Sequence, residues 1–306
     1  MMIIANQYSM TAKISAFSRA YHSLHDEPKI FNDFLARKWL TDEEYAQVSQ
    51  YMANGISFFN PEHASEFADQ QRALEWVVQT QLAPTPLARA RYCEEMLKNA
   101  IMFGAEQYVI LGAGLDTFAF RHPKLLKQID VYEVDHPFTQ SFKKSKLREM
   151  EWKIPEKLHF VPMDFTKDNL VEVFKQTSFD EKKLSFFSWL GVTYYLSKED
   201  ILKTLKQIAE IAPKGSTVVF DYGDEKLFDA KATTKRVQNM VAMAAQSGEP
   251  MKSCFSYPEL EKLLEEAGFH IYEHLSPQDI ETKYFQKRRD YLHAFENVHY
   301  CLAVRQ

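Results

Sequence analysis

The chain has 306 residues, 45% of them apolar and 14% aromatic, enough to bury a large core as one elaborated domain or two. Its net charge of −5 and pI of about 6.1 supply no basic field for nucleic acid or an anionic membrane, and its apolar runs fall short of the ~20 residues a membrane span requires. Three widely spaced cysteines (Cys93, Cys254, Cys301) suit neither a disulfide framework nor a zinc site, scattered histidines suggest no metal, and Met1-Met2-Ile3-Ile4 turns polar too soon for a signal peptide, so a reduced cytoplasmic protein is expected.

Residues 1 to about 100 read as helical, without strand alternation. Asp33-Phe-Leu-Ala-Arg-Lys-Trp-Leu40 has apolar positions at helical spacing, and Thr41-Asp42-Glu43-Glu44 reads as an N-cap followed by acids in a first turn. Pro84 and Pro86 break the pattern, and a further helix is expected from about Leu87 to Ile101. From there strands and helices alternate. Strands are expected at 108–112, 129–134, 158–162, 184–190, 216–222, 268–274 and 298–305, with helices at 137–150, 198–211 and 257–267. This alternation predicts an α/β fold: a doubly wound, mostly parallel seven-stranded sheet with its crevice at the carboxyl ends of the strands. The last two runs are not separated by a long helix, which predicts an antiparallel edge. Residues 223–256, rich in Lys, Met and Ala, read as a helix-plus-loop insertion after the fifth strand. The expected organisation is a helical N-terminal lid or substrate region, 1–100, and a cofactor-binding core, 101–306, whose 223–256 insertion is a second lid.

The segment richest in chemical content is Tyr108-Val-Ile-Leu-Gly-Ala-Gly-Leu-Asp116. A strand that stops in Gly112-Ala113-Gly114 brings bare backbone to a ligand where a Cβ would clash. The second strand ends in Glu133-Val134-Asp135, and an acid about twenty residues on suits two ribose hydroxyls. A nicotinamide dinucleotide asks for a third glycine where this chain has Thr117, and a phosphate loop asks for Gly-Lys-Ser/Thr, which is absent. S-adenosylmethionine, having no pyrophosphate, tolerates the missing glycine, so methyl transfer leads.

At the third strand's end, Asp164 is placed to accept from an adenine amine with Phe165 beside the ring; the competing role for Asp164 is a turn or helix cap. After the fourth strand, Phe186, Phe187 and Trp189 read as core. Thr193, Tyr194 and Tyr195 are the positioning candidates for the acceptor pocket, because buried hydroxyls need partners. Ser197 reads as the cap of the next helix. Upstream, Arg89 or Arg91 could fork onto the carboxylate of a bound amino acid, and Arg91 reads as the surface residue of the two.

Taken jointly, six segments resemble the leucine carboxyl methyltransferase family, more its bacterial branch of S-adenosylmethionine-dependent O-methyltransferases than the eukaryotic phosphatase-methylating enzymes. They are Ser9-Met-Thr-Ala12, Leu111-Gly-Ala-Gly-Leu-Asp-Thr117, Tyr132-Glu-Val-Asp-His-Pro137, Phe160-Val-Pro-Met-Asp-Phe165, Gly191-Val-Thr-Tyr-Tyr-Leu196 and Val219-Phe-Asp-Tyr222. The resemblance implies a Rossmann-like methyltransferase fold. It also implies that Arg89 grips the cofactor's carboxylate, Gly112 and Gly114 meet its methionine end, Asp135 or its rival Glu133 takes the ribose, and Asp164 and Phe165 take the adenine. One departure stands out: relatives carry an acid where this chain has Leu190.

Methyl transfer from a sulfonium asks the protein to align donor and acceptor and to exclude water. An acceptor carboxylate is ionised at pH 7 and needs no base, whereas a phenol with a pKa of about 10 benefits from one. No His-plus-acid pair stands out in these segments, which favours a carboxylate over a hydroxyl. The partner is expected to be a small-to-medium acceptor, as in specialised metabolism, with no nucleic acid or membrane and a possible homodimer. The loss implied by Leu190 keeps one alternative open, a non-catalytic binding protein that retains the fold.

Overall fold

The computed structural model describes residues 10–306. Ser9 of the first resemblance segment and the Met1–Ile4 opening lie outside the described residues. Seven strands form one sheet: β1 Gln107–Leu111, β2 Asp130–Asp135, β3 Leu158–Pro162, β4 Ser185–Trp189, β5 Thr217–Gly223, β6 Phe269–Leu275 and β7 Val298–Arg305. Their order is β3-β2-β1-β4-β5-β7-β6. The first five are parallel, and β7 inserts antiparallel between β5 and β6. The strands fall within one residue of the expected spans, because each is an apolar run bounded by turn residues. Strand order reverses between β1 and β4, and a doubly wound sheet opens its crevice there.

Side chains along each strand alternate between two cores. Tyr108, Ile110, Val131, Phe186, Val219 and Tyr300 face a core shared with Phe17 and Tyr21 of the Met10–His25 helix, Leu87 and Tyr92 of the Pro84–Met102 helix, and Val237 of the Lys235–Gln246 helix. Val109, Leu111, Tyr132, Val134, Phe187 and Val218 face the other, closed by the Lys198–Ile211 and Tyr257–Glu266 helices. The N-terminal helices are therefore continuous with one sheet face. Among the described residues no helix is long and apolar enough to cross a membrane.

Two expectations need correction. Residues 33–40 contain only a 3-10 turn, Ala36–Trp39. Asp33 is consumed as an anchor: its carboxylate accepts from the Ala36 amide at 3.1 Å and the Thr117 hydroxyl at 2.7 Å, and pairs with Arg19 at 2.9 Å. The capping box at Thr41 and Glu44 does form, and opens the Asp42–Asn54 helix. The prolines do not break a helix but begin one. Pro84 and Pro86 occupy the first turn of the Pro84–Met102 helix, where missing amides cost nothing. Ahead of them Val78–Leu82 is a π-turn, closed by the Ala83 amide donating to the Val78 carbonyl at 2.8 Å.

Gly112 and Gly114 follow β1 with φ of +75° and +50°. The expected reason for Gly112 was clearance for a ligand. The neighbour that a Cβ there would overlap is Val192 Cγ2, on the turn after β4. After the glycines comes only the one-turn helix Phe118–Arg121, so Thr117 needs no glycine for close helix packing. Gly112→Ala is expected to cost roughly 1–3 kcal/mol from the backbone alone, read by chemical denaturation. Adding Val192→Ala should restore the part due to overlap and leave the φ penalty; wild-type stability of Gly112→Ala would refute both contributions.

Candidate functional site

The carboxyl ends of β1 to β4 open into a cavity of about 470 Å³. The Gly112–Gly114 turn, Asp135 and His136, Met163 to Thr166, and Leu190 to Val192 line it from the sheet. Thr11, Ser15 and Arg19 of the first helix, and Pro86, Arg89 and Cys93 of the Pro84–Met102 helix, close it from the other side. Its size is that of a pocket for a cofactor-sized molecule, and acidic and arginine side chains stand among its apolar wall residues.

Asp135 and Asp164, at the tips of adjacent strands β2 and β3, both face this space. Asp135 accepts from the Gly114 amide, which ties β2 to the glycine turn, and from the His136 amide at 2.6 Å. Burial raises its carboxyl, and those two amides work against the rise. Asp164 accepts from the amide and hydroxyl of Thr166 at 3.0 and 2.7 Å and pairs with Lys167 at 2.8 Å. Burial opposes ionisation there, but Lys167 and Thr166 outweigh it and hold the carboxyl down at about 2. Asp164 thus forms the local turn its residue type suggested and also presents a permanent carboxylate to the cavity. His136 Nε2 lies 3.8 Å from Asp164 Oδ2. Phe165 lines the same wall, its ring 6.2 Å from that of Trp189.

Glu133, the rival ribose acid, is not part of the cavity. Only 1% exposed, it pairs with equally buried Lys143 at 2.6 Å, and Lys143 also donates to the Asp116 carbonyl at 2.7 Å. Burial raises the Glu133 carboxyl to about 7 against the pull of Lys143. An acid two residues before the strand tip points to the same sheet face but one pleat deeper, and there it props the Pro137–Glu149 helix.

Arg89 reaches over the β4 turn. Its Nη1 donates to Asp221 Oδ2 at 2.8 Å, and a Cβ on Gly191, whose φ is +69°, would overlap the guanidinium. Asp221 is fully buried at the end of β5 and collects four bonds. Besides Arg89, its carboxylate accepts from the Gly191 amide at 2.6 Å and the Tyr194 hydroxyl at 3.1 Å, and its carbonyl accepts from the Thr193 hydroxyl at 2.5 Å. Burial works against the Arg89 cation, but Asp221 more than compensates and raises it. The hydroxyls of Thr193 and Tyr194 are therefore spent on Asp221 instead of being offered to an acceptor. Of the three, Tyr195 lines both this cavity and a smaller one beside it, Tyr194 lines only the smaller one, and Thr193 lines neither. Arg91 is the exposed arginine, paired with Glu95.

Sequence reading assigned no role to Asp221, although an acid inside the apolar run Val218-Val219-Phe220-Asp221-Tyr222 was a visible signal. It also missed the chain Arg19–Asp33–Thr117–Arg121 along the cavity, which joins residues far apart in sequence. A smaller cavity of about 150 Å³ adjoins the first, lined chiefly by apolar residues of the first helix, the π-turn and the Lys235–Gln246 helix. The C-terminal end of the 223–256 insertion is pinned nearby: the Lys252 amide donates to the Tyr194 carbonyl at 2.6 Å, and the Ser253 hydroxyl to the Thr193 carbonyl at 2.9 Å. His270 and His274 share a His-x-x-x-His spacing but sit on β6, where four residues span roughly 13 Å. Among the described residues no group of three or more His, Cys, Asp or Glu is placed to hold a metal ion.

A glycine turn after β1 and acids at the next two strand tips match the six sequence segments, and the model of the family described as leucine carboxyl methyltransferase matches residues 12–209. The chain belongs to the leucine carboxyl methyltransferase family. It is 53% identical over 98% of its length, and 99% of the relative's, to a Bacillus subtilis protein named "Putative S-adenosyl-L-methionine-dependent methyltransferase YktD". A like-named Mycobacterium avium protein is 28% identical over 76% of this chain and 70% of its own. The fold matches a DUF574 family protein from Streptomyces avermitilis with a TM-score of 0.57 at 12% identity, covering 98% of this chain and 99% of that one. As a member of this family the chain is an S-adenosylmethionine-dependent methyltransferase.

In this methyltransferase the Glu133–Lys143 pair gives a pH-dependent stability. The Glu133 carboxyl is raised on folding, so the stabilising contribution of its protonation is present at low pH and lost as pH rises through about 7. Lys143→Met should cost about 3–5 kcal/mol at about pH 8, where it strands a buried carboxylate, and clearly less at about pH 5.5. Urea denaturation at the two pH values reads the difference, and an equal penalty at both would remove the charge from the account.

Proposed function

We propose that this methyltransferase esterifies the carboxylate of a small acceptor held in the smaller cavity, with the methyl donor in the larger one. The support comes from the groups where the two cavities meet. Six residues line both: Thr11, Ser15, Pro86, Arg89, Gly191 and Tyr195. They include no histidine and no carboxylate. Burial pushes the Tyr195 phenol up to about 12, so near neutrality it donates a hydrogen bond and takes no proton. The Ser15 and Tyr195 hydroxyls suit an anionic acceptor oxygen that is already deprotonated, which leaves the Arg89 guanidinium to the methyl donor.

S-adenosylmethionine supplies a methyl group on a positively charged sulfur. The chain's own residues bind, orient and exclude water. Arg89, held level by Asp221, retains donors for a carboxylate; the Gly112–Gly114 turn offers backbone; Asp135 offers a carboxylate to ribose hydroxyls; Asp164 and Phe165 border an adenine. Leu190 makes that part of the wall apolar. The first helix and the 223–256 insertion serve as lids, an arrangement supported by the Thr11 hydroxyl donating to Glu249 across them.

A hydroxyl acceptor is the second reading, favoured by Glu249, which lines the larger cavity and would be the base. Labelled cofactor and host extract distinguish the two. A methyl ester loses its label in mild alkali, and turnover should be flat between about pH 6 and 9 because the acceptor stays ionised. Alkali-stable label, with a rate that rises with pH, would replace the ester by an ether. For the cofactor, Arg89→Ala should weaken S-adenosylhomocysteine binding at least about tenfold by calorimetry, as expected for a lost charge-assisted bond. An unchanged affinity would leave Arg89 as a partner of Asp221 alone.

A further inference from the structure

We propose that the smaller cavity accepts a carboxylic acid with an apolar body the size of one six-membered ring and a hydrogen-bond donor at the far end, and that Gln81 reads that donor. This rests on the placement of the acceptor given above and specifies its chemistry.

Gln81 is 8% exposed and lines this cavity, yet its Oε1 has no hydrogen-bond partner. The Thr85 hydroxyl, one helical turn on and facing the same space, is also buried and unpartnered. Neither residue lines the larger cavity, and Gln81 lies about two helical turns before Arg89 of the shared edge, with Thr85 between them. A buried carbonyl oxygen left unpaired is unfavourable, and a ligand O–H or N–H removes the penalty. The backbone that carries Gln81 is the π-turn Val78–Leu82, a feature frequent at functional sites.

The remaining wall limits the body of the acceptor. Leu82, Met240, Met243, Met251 and Phe295 supply apolar surface, and methionine adapts to the shape of what it covers. The cavity measures about 150 Å³, a volume that admits benzene in a known apolar case. A ring acid bearing a distal hydroxyl satisfies size, polarity and direction together: the carboxylate reaches the shared edge, and the hydroxyl donates to Gln81 Oε1. A long-chain acid does not fit.

The probes are benzoate, 4-hydroxybenzoate and dodecanoate, titrated into the full chain saturated with S-adenosylhomocysteine. 4-Hydroxybenzoate should bind about tenfold or more tightly than benzoate, and dodecanoate not measurably at about 1 mM. In Gln81→Leu the preference between the two ring acids should vanish or reverse while benzoate and S-adenosylhomocysteine affinities hold, which shows that the variant is folded. Thr85→Val should reduce the preference by a smaller factor. The proposal is overturned if neither ring acid binds up to about 10 mM, if the preference survives Gln81→Leu, or if dodecanoate competes with the ring acids. Gln81-dependent binding with alkali-stable methylation supports the cavity's specificity and removes only the ester.

Discussion

A single buried carboxylate, Asp221, ties the cavities together. A charge without solvent must be matched by donors, and this one finds a guanidinium from the Pro84–Met102 helix and a backbone amide and a phenol from the turn after β4. The consequence is mechanical: the Pro84–Met102 helix, the turn after β4 and the end of β5 are fixed relative to one another by bonds that none of them can drop cheaply. Gly191 has no side chain because the guanidinium passes through the place where one would stand. The 193–195 turn, held by the same carboxylate, in turn anchors residues 252 and 253, so the insertion over the smaller cavity hangs from the group that steadies Arg89.

Three acids near the crevice show how environment divides labour among similar residues. Asp135 couples two strand ends through amides while remaining at the cavity wall. Asp164, with a lysine and a threonine beside it, stays ionised throughout the physiological range. Glu133 has been withdrawn into a buried pair, where burial makes it titrate near neutrality. Proximity in sequence would group Glu133 with Asp135; both point to one face of β2, and their depth along the strand separates them.

The sheet was legible because local rules and tertiary structure agree. Apolar runs bounded by glycine, proline or acid became strands, and Thr41 and Ser197 became caps, since the signals act within four residues. The glycine turn, Asp135, Asp164 and Phe165 were legible for a related reason: strand tips in a doubly wound sheet share one edge, so their order along the chain predicts their meeting. Illegible features depend on partners remote in sequence. The segment at 33–40 lost its helix because Asp33 binds Thr117 and Arg19. The prolines looked like breakers because nothing local announces the π-turn that precedes them. Thr193 and Tyr194 were assigned to the pocket because hydroxyls require partners; Tyr194 does line the smaller cavity, but both hydroxyls find their partner on β5.

Strand β7 occupies an unusual slot. Sheet neighbour of β5 on one side and β6 on the other, it is translated after both, and among the described residues β6 has no other strand beside it. Its Tyr300 stands directly opposite Asp221 in the ladder and seals that carboxylate from behind. The glycine turn, Asp135, Asp164 and Arg89 therefore all precede in sequence the strand that backs Asp221. Residues 298–305 line neither cavity, yet the ladders to β5 and to β6 both run through them.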